Sequence, residues 1–148
     1  MVSLEKLFTE SKGQPIELDG KILQMVDRVP VRDGQGIRIV FESASPERRQ
    51  GISLTVRGEL EVNGHTIRKE VVLWVDTAPT EVILQVRTKQ HEVLVKNVWD
   101  RGDGVMDSWH AQAAMIVETC GAVRRYRCND GRNNLDFEDI VFTLECLD

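Results

Sequence analysis

Glu59-Leu60-Glu61-Val62-Asn63-Gly64-His65-Thr66-Ile67-Arg68 decides the fold. Apolar and polar residues alternate before the central pair, as they do when a strand buries one face only. Asn-Gly then supplies the two positive φ angles that a type I′ turn requires. The stretch predicts a long antiparallel hairpin continuing through Val75. Outward from it the same period-two pattern recurs. Ile37, Ile39 and Phe41 alternate with Arg38, Val40 and Glu42; Ile52, Leu54 and Val56 with Ser53, Thr55 and Arg57; Val82, Leu84 and Val86 with Ile83, Gln85 and Arg87. Asp76-Thr77-Ala78-Pro79, Thr88 to Gln90 and Gly121 interrupt the strands, and Ser43 to Gln50 reads as the least ordered connection. Leu4, Leu7 and Phe8 have helical spacing behind a Ser3 cap, so one short N-terminal helix is expected. The stretch from Trp109 to Val117 fits helix at its alanines and strand at Met115-Ile116-Val117. Together these predict an all-β, single-domain antiparallel β-sandwich or jelly roll of about eight or nine strands spanning 1–148.

Composition narrows the function classes. A chain of 148 residues is long enough to bury a self-sufficient core. A formal net charge of −5 disfavours nucleic acid and anionic membranes as partners. The first residues hold no apolar run of signal-peptide length and no later stretch reaches a membrane span, so a soluble, cytoplasmic protein is expected. Cys120, Cys128 and Cys146 are an odd set without C-x-x-C spacing, and reduced thiols are the simplest reading.

The chemistry concentrates near the end of the chain. Cys128-Asn129-Asp130-Gly131-Arg132-Asn133-Asn134-Leu135-Asp136-Phe137-Glu138-Asp139 runs directly into the strand Ile140-Val141-Phe142-Thr143-Leu144. Its donors are hard oxygens, which suit Ca²⁺ rather than a transition metal. Strand alternation backward from Ile140 places Glu138 and Asp136 in line with the core-facing row, at the rim of a sheet where a cation or water would meet them. The candidate ligands are Asp136, Glu138 and Asp139, with Asp130, Asn133 and Asn134 in support. A solvated turn explains the same residues equally well, because Asp, Asn and Gly favour turns for local reasons. Arg124, Arg125, Arg127 and Arg132 lie beside the loop, and charge balance is their simplest role.

Gly131, Asp136-Phe137-Glu138-Asp139 and Ile140-Val141-Phe142 resemble the acidic loop of the calcium-dependent bacterial fucose- and mannose-binding lectins, and the D-F-N-D-V-V-F ending of other bacterial β-sandwich modules. Glu138 stands where Asn is usual, the loop is one residue longer, and Asn133, Asn134 and Leu135 replace further carboxylates. In those lectins two calcium ions lie side by side and sugar hydroxyls complete their coordination. The resemblance implies a Ca²⁺ site of one ion at most and a carbohydrate ligand. It covers the last loop and strand only.

A second acidic loop, Asp100 to Ser108, could join the first at one rim. Asp103 and Asp107 are its candidate ligand contacts. Trp109 is a candidate aromatic platform, since the apolar C–H face of a sugar complements an indole plane; Trp99, closing a strand, reads as core. No G-x-S-x-G, H-E-x-x-H or phosphate-binding glycine loop is present, so an enzyme is not expected. The leading reading is a non-enzymatic, lectin-like, calcium-binding module. The alternative is a metal-independent structural or protein-interaction domain. Partners are then a carbohydrate or a protein, with homo-oligomerisation left open.

Overall fold

Ser3 ends an extended segment and its hydroxyl accepts the amide of Lys6, which starts helix α1 (Leu4–Glu10) as its sequence predicts. A computed structural model describes residues 2–148. After α1 come the short strands β1 (Ile16–Leu18), β2 (Lys21–Leu23) and β3 (Asp27–Pro30). The long strands β4 (Gly36–Ala44), β5 (Gln50–Val62), β6 (His65–Trp74), β7 (Glu81–Thr88) and β8 (Glu92–Asp100) follow. A two-residue strand, β9 (Met106–Asp107), precedes β10 (Ala114–Cys120), β11 (Val123–Asn129) and β12 (Ile140–Cys146). Every pairing is antiparallel. The sequence patterns locate β4, β5, β6, β7 and β12; β10 falls in the stretch that fits helix and strand alike, and the four short strands carry too few residues to show a period.

The Asn63-Gly64 turn has φ of 51° and 78°, the two left-handed angles that the dipeptide predicts, and it pairs Val62 with His65. The order β10-β11-β12-β4-β7-β5-β8-β3 forms one sheet that folds over itself, with β6 beside β5. The fold-over occurs inside β5. Its first half, Gln50 to Thr55, pairs with β8, and its second half, Gly58 to Val62, pairs with β7. At the break, Gly58 has φ of 152°, and a Cβ there would lie 2.0 Å from the Arg87 carbonyl oxygen, so only glycine fits. The opposite seam is closed by the segment after β2. Gln24 exchanges main-chain hydrogen bonds with Met115 on β10, and β3 then pairs with β8. The result is a β-sandwich close to a barrel.

Alternation delivers Ile37, Ile39, Ile52, Leu54, Leu84 and Val86 to the interior, where all are buried. Tyr126 stacks on Phe142 with ring centroids 4.5 Å apart. Its hydroxyl donates to Asp27 at 2.6 Å, and Arg124 bonds the same carboxylate at 3.0 Å. Asp27 is 4% exposed, so this cluster ties β3 to β11 across the seam. Burial and the Asp27 carboxylate push the Tyr126 phenol far above its ordinary range. A second apolar cluster lies outside the sandwich: Leu4, Phe8 and Leu23 cover Ala114, Ile116 and Phe137. That double coverage explains why Met115-Ile116-Val117 is an unbroken apolar run within a strand. Among the described residues no helix is long and apolar enough to cross a membrane.

Candidate functional site

At one end of the sandwich the terminal loop, through Gly131 after β11, approaches Trp99 and His110, which flank the second acidic loop. Trp99 is 1% exposed. A Cβ on Gly131 would lie 3.0 Å from the Trp99 ring and 3.5 Å from the His110 carbonyl oxygen, so glycine permits this approach. Of Ser43 to Gln50, read from the sequence as the least ordered connection, Ser43 and Ala44 end β4, Gln50 starts β5, and the residues between them make side-chain contacts. Arg49 bonds Asp76 at 2.9 Å and lies 4.4 Å from the Trp74 ring, and Glu47 pairs with Arg132. The long-range partners of these charged side chains leave no trace in the local sequence.

The terminal loop departs from the expected phase. Phe137 has φ of 56°, which interrupts the alternation backward from Ile140. Its ring is buried in the outer cluster, Asp136 and Glu138 face solvent, and Asp139 turns inward at 5% exposure. The expectation that Glu138 and Asp136 prolong the core-facing row is therefore corrected: the inward carboxylates are Asp139 and the fully buried Asp130. Asp136 closes its own turn, accepting from Glu138 N and Asn134 Nδ2 at 3.0 Å each. Asn133 and Asn134 are exposed.

Arg132 joins the two inward carboxylates. Its Nε donates to Asp130 Oδ1 at 3.0 Å, and its Nη2 to Asp139 Oδ1 at 2.8 Å and Ser45 Oγ at 3.4 Å. Asp130 also accepts from Gln50 Nε2 at 2.9 Å, and Asp139 accepts from Asp130 N at 2.9 Å. Burial, reinforced by the neighbouring Asp130, pushes the Asp139 carboxyl above its ordinary value, against the Asp130 amide and Arg132. Of the six residues expected to hold Ca²⁺, two converge, and they converge on a guanidinium. Among the described residues no group of three His, Cys, Asp or Glu side chains stands in metal-binding geometry. As arranged, both inward carboxylates are bonded by Arg132. Two buried acceptors beside Asp130, Gln50 Oε1 and Asn129 Oδ1, have no donor among the described residues. The other three arginines do not serve the loop: Arg124 pairs with Asp27, Arg125 with Glu42 and Arg127 with Glu118.

The second loop separates its candidates. Asp103 bonds Arg101 at 3.3 Å and Val105 N at 3.0 Å, a local turn on the exposed side. Asp107 lies 3.6 Å from His110 Nε2, and Glu5 of α1 lies 3.2 Å from His110 Nδ1. The half-buried Trp109 stacks on the exposed His110, with ring centroids 4.7 Å apart and planes 26° apart. Trp109 and Ala111 both have positive φ, 44° and 54°, an uncommon conformation outside glycine that neighbouring contacts must hold. Helix α1 supplies those of Ala111 and of the neighbouring Gln112. Glu5 N donates to Ala111 O at 2.9 Å, Leu4 N to Gln112 Oε1 at 2.8 Å, and Ala111 N to Glu5 Oε2 at 3.2 Å. The His110 and Ala111 hydrogen bonds hold the Glu5 carboxyl below its ordinary value. Sequence reading singles out Trp109 and Asp107 but misses Glu5 and Gln112, whose partners lie at opposite ends of the chain.

In backbone comparison the chain is similar to a lectin of Chromobacterium violaceum, CV2L, solved in complex with alpha-methyl-fucoside. The identity is 16%, the superposition covers 82% of this chain and 94% of that one, and the TM-score is 0.43. No family model and no curated protein matches the chain.

Proposed function

We propose that this chain is a non-catalytic binding module that takes a carbohydrate at the rim, on the Trp109–His110 pair. The observation that carries the reading is the half-exposed indole at a left-handed backbone position, in a turn that α1 braces through Ala111 and Gln112, with the carboxylates of Asp107 and Glu5 on either side of the imidazole. An aromatic plane complements the apolar face of a pyranose, and flanking carboxylates and imidazole exchange hydrogen bonds with its hydroxyls. His110 is engaged by two carboxylates and by no hydroxyl or thiol, which favours binding over nucleophilic catalysis. An open rim with one stacking residue predicts weak binding of a single sugar unit, about 1 mM or about −4 kcal/mol.

The test is saturation-transfer NMR of a monosaccharide panel at millimolar concentration, which detects weak binding of a single sugar unit, followed by titration of the sugars that respond. Trp109→Ala is expected to abolish binding with little change in melting temperature, and Asp107→Asn to weaken it. No transfer to any sugar at millimolar concentration, or equal affinity of Trp109→Ala, would refute the reading. A protein-interaction domain is the second reading, favoured by β6, which pairs on one side only, and by an apolar groove of about 280 Å³ beside it lined by Val62, Leu73, Trp74, Pro79, Val82 and Ile83. It predicts concentration-dependent sedimentation that Ile83→Glu removes.

A further inference from the structure

We infer that Arg132 stands in for a metal ion in the terminal loop, so that the rim is ordered by a guanidinium and needs no divalent cation. Guanidinium carries five N–H donors in a fixed plane and matches carboxylates through paired hydrogen bonds. Here that plane gathers Asp130 and Asp139 from its own loop and Glu47 and Ser45 from the preceding connection. The main-chain amide of Arg132 adds a further bond to Asp130 Oδ1 at 3.0 Å. A calcium ion would have to assemble about six to eight oxygens, and the loop directs two carboxylates inward while Asp136 and Glu138 face water. Admitting the ion would require the Arg132 guanidinium to leave, breaking its contacts with Asp130, Asp139, Ser45 and Glu47 at once. The proposal is independent of which ligand the rim takes.

The experiment uses the full chain after chelator treatment. Titration with Ca²⁺ up to about 1 mM, far above the range of sensor-type sites, is expected to give no saturable heat and no rise in melting temperature. Arg132→Gln is expected to lower the melting temperature and Arg132→Lys to recover part of the loss, since a point charge restores attraction without the planar fork. The double variant Arg132→Gln with Asp139→Asn should lose less than the sum of the single losses, because both remove the same contact. Saturable binding near one ion per chain with a raised melting temperature would overturn the proposal; the unpaired Gln50 Oε1 and Asn129 Oδ1 would then belong to a coordination shell. Additive losses in the double variant would overturn it as well. If Arg132→Gln fails to fold, the titration of the unmodified chain and the Arg132→Lys variant decide.

Discussion

Replacing Asp27 by Ala should unfasten the seam of the sandwich. Asp27 sits at the start of β3, and its carboxylate accepts from Tyr126 at 2.6 Å and from Arg124 at 3.0 and 3.3 Å. Truncation removes a charge-assisted hydrogen bond, about 1.5–3 kcal/mol, and leaves the buried Tyr126 hydroxyl without an acceptor, about 1–3 kcal/mol more. Arg124 keeps 26% of its side chain exposed and returns to water, so its loss adds little. The expected destabilisation is about 3–5 kcal/mol, the usual cost of removing one partner from a buried pair. With unfolding entropy near 2.1 cal/mol/K per residue, that corresponds to a fall of about 10–15 °C in a chain of 148 residues. Urea unfolding at neutral pH measures it. The diagnostic is the pair with Tyr126→Phe, which alone should cost about 1–2 kcal/mol, because Asp27 retains Arg124. In the double variant the phenylalanine leaves no hydroxyl to strand, so it should be no less stable than Asp27→Ala alone. A loss below about 1 kcal/mol for Asp27→Ala, or strict additivity in the pair, would refute the assignment of this cluster as a clasp.

Gly58→Ala should cost about 3 kcal/mol or more, combining the collision with the Arg87 carbonyl and a backbone angle that alanine rarely adopts; a melting temperature close to that of the parent would show that β5 does not need its break. Glu5→Gln should matter little, about 1 kcal/mol or less, because the contact is exposed. Its pH dependence has a definite sign. The Glu5 carboxyl is lowered from 4.5 in the folded chain, so its contribution is complete above that value and disappears as pH falls through the lowered one. Melting curves of parent and variant should therefore differ at neutral pH and converge in acid; a difference that grows in acid would contradict the hydrogen bonds to His110 and Ala111. Gly131→Ala should push the terminal loop off Trp99, and a change in tryptophan fluorescence without loss of strand signal in circular dichroism would report it; an unchanged spectrum would sink the packing argument.

The long strands were legible because each buries one face, and period-two alternation at Ile37 to Phe41 or Val82 to Val86 needs nothing beyond the local sequence. Asn63-Gly64 was equally legible, since the dipeptide encodes its own angles. The terminal loop was half legible. Its acids could be seen, but the direction of each depended on Phe137, whose ring is captured by α1 and β2 residues and whose backbone turns left-handed as a result. That capture is tertiary, and it exchanged the roles of Glu138 and Asp139. Arg132 was visible as a charge, while its convergence with Asp130, Asp139 and Glu47 depended on how the terminal loop meets the connection between β4 and β5. The N-terminal helix was read correctly as a helix, yet its grip on the Trp109 turn joins residues more than a hundred positions apart. No local pattern encodes such a pairing.

The break in β5 also bears on how the molecule comes apart. One continuous strand belongs to both layers of the sandwich, with Gln50 to Thr55 in one and Gly58 to Val62 in the other. Neither layer can peel away while the other stays intact, because peeling either one tears the same strand. Amides of β7 and β8, although on different layers, should therefore exchange with solvent deuterium through a shared opening event and show equal protection, as a single cooperative unit. The local β5–β6 hairpin is the natural place for that unit to begin assembling, because its turn closes the shortest loop available to this strand.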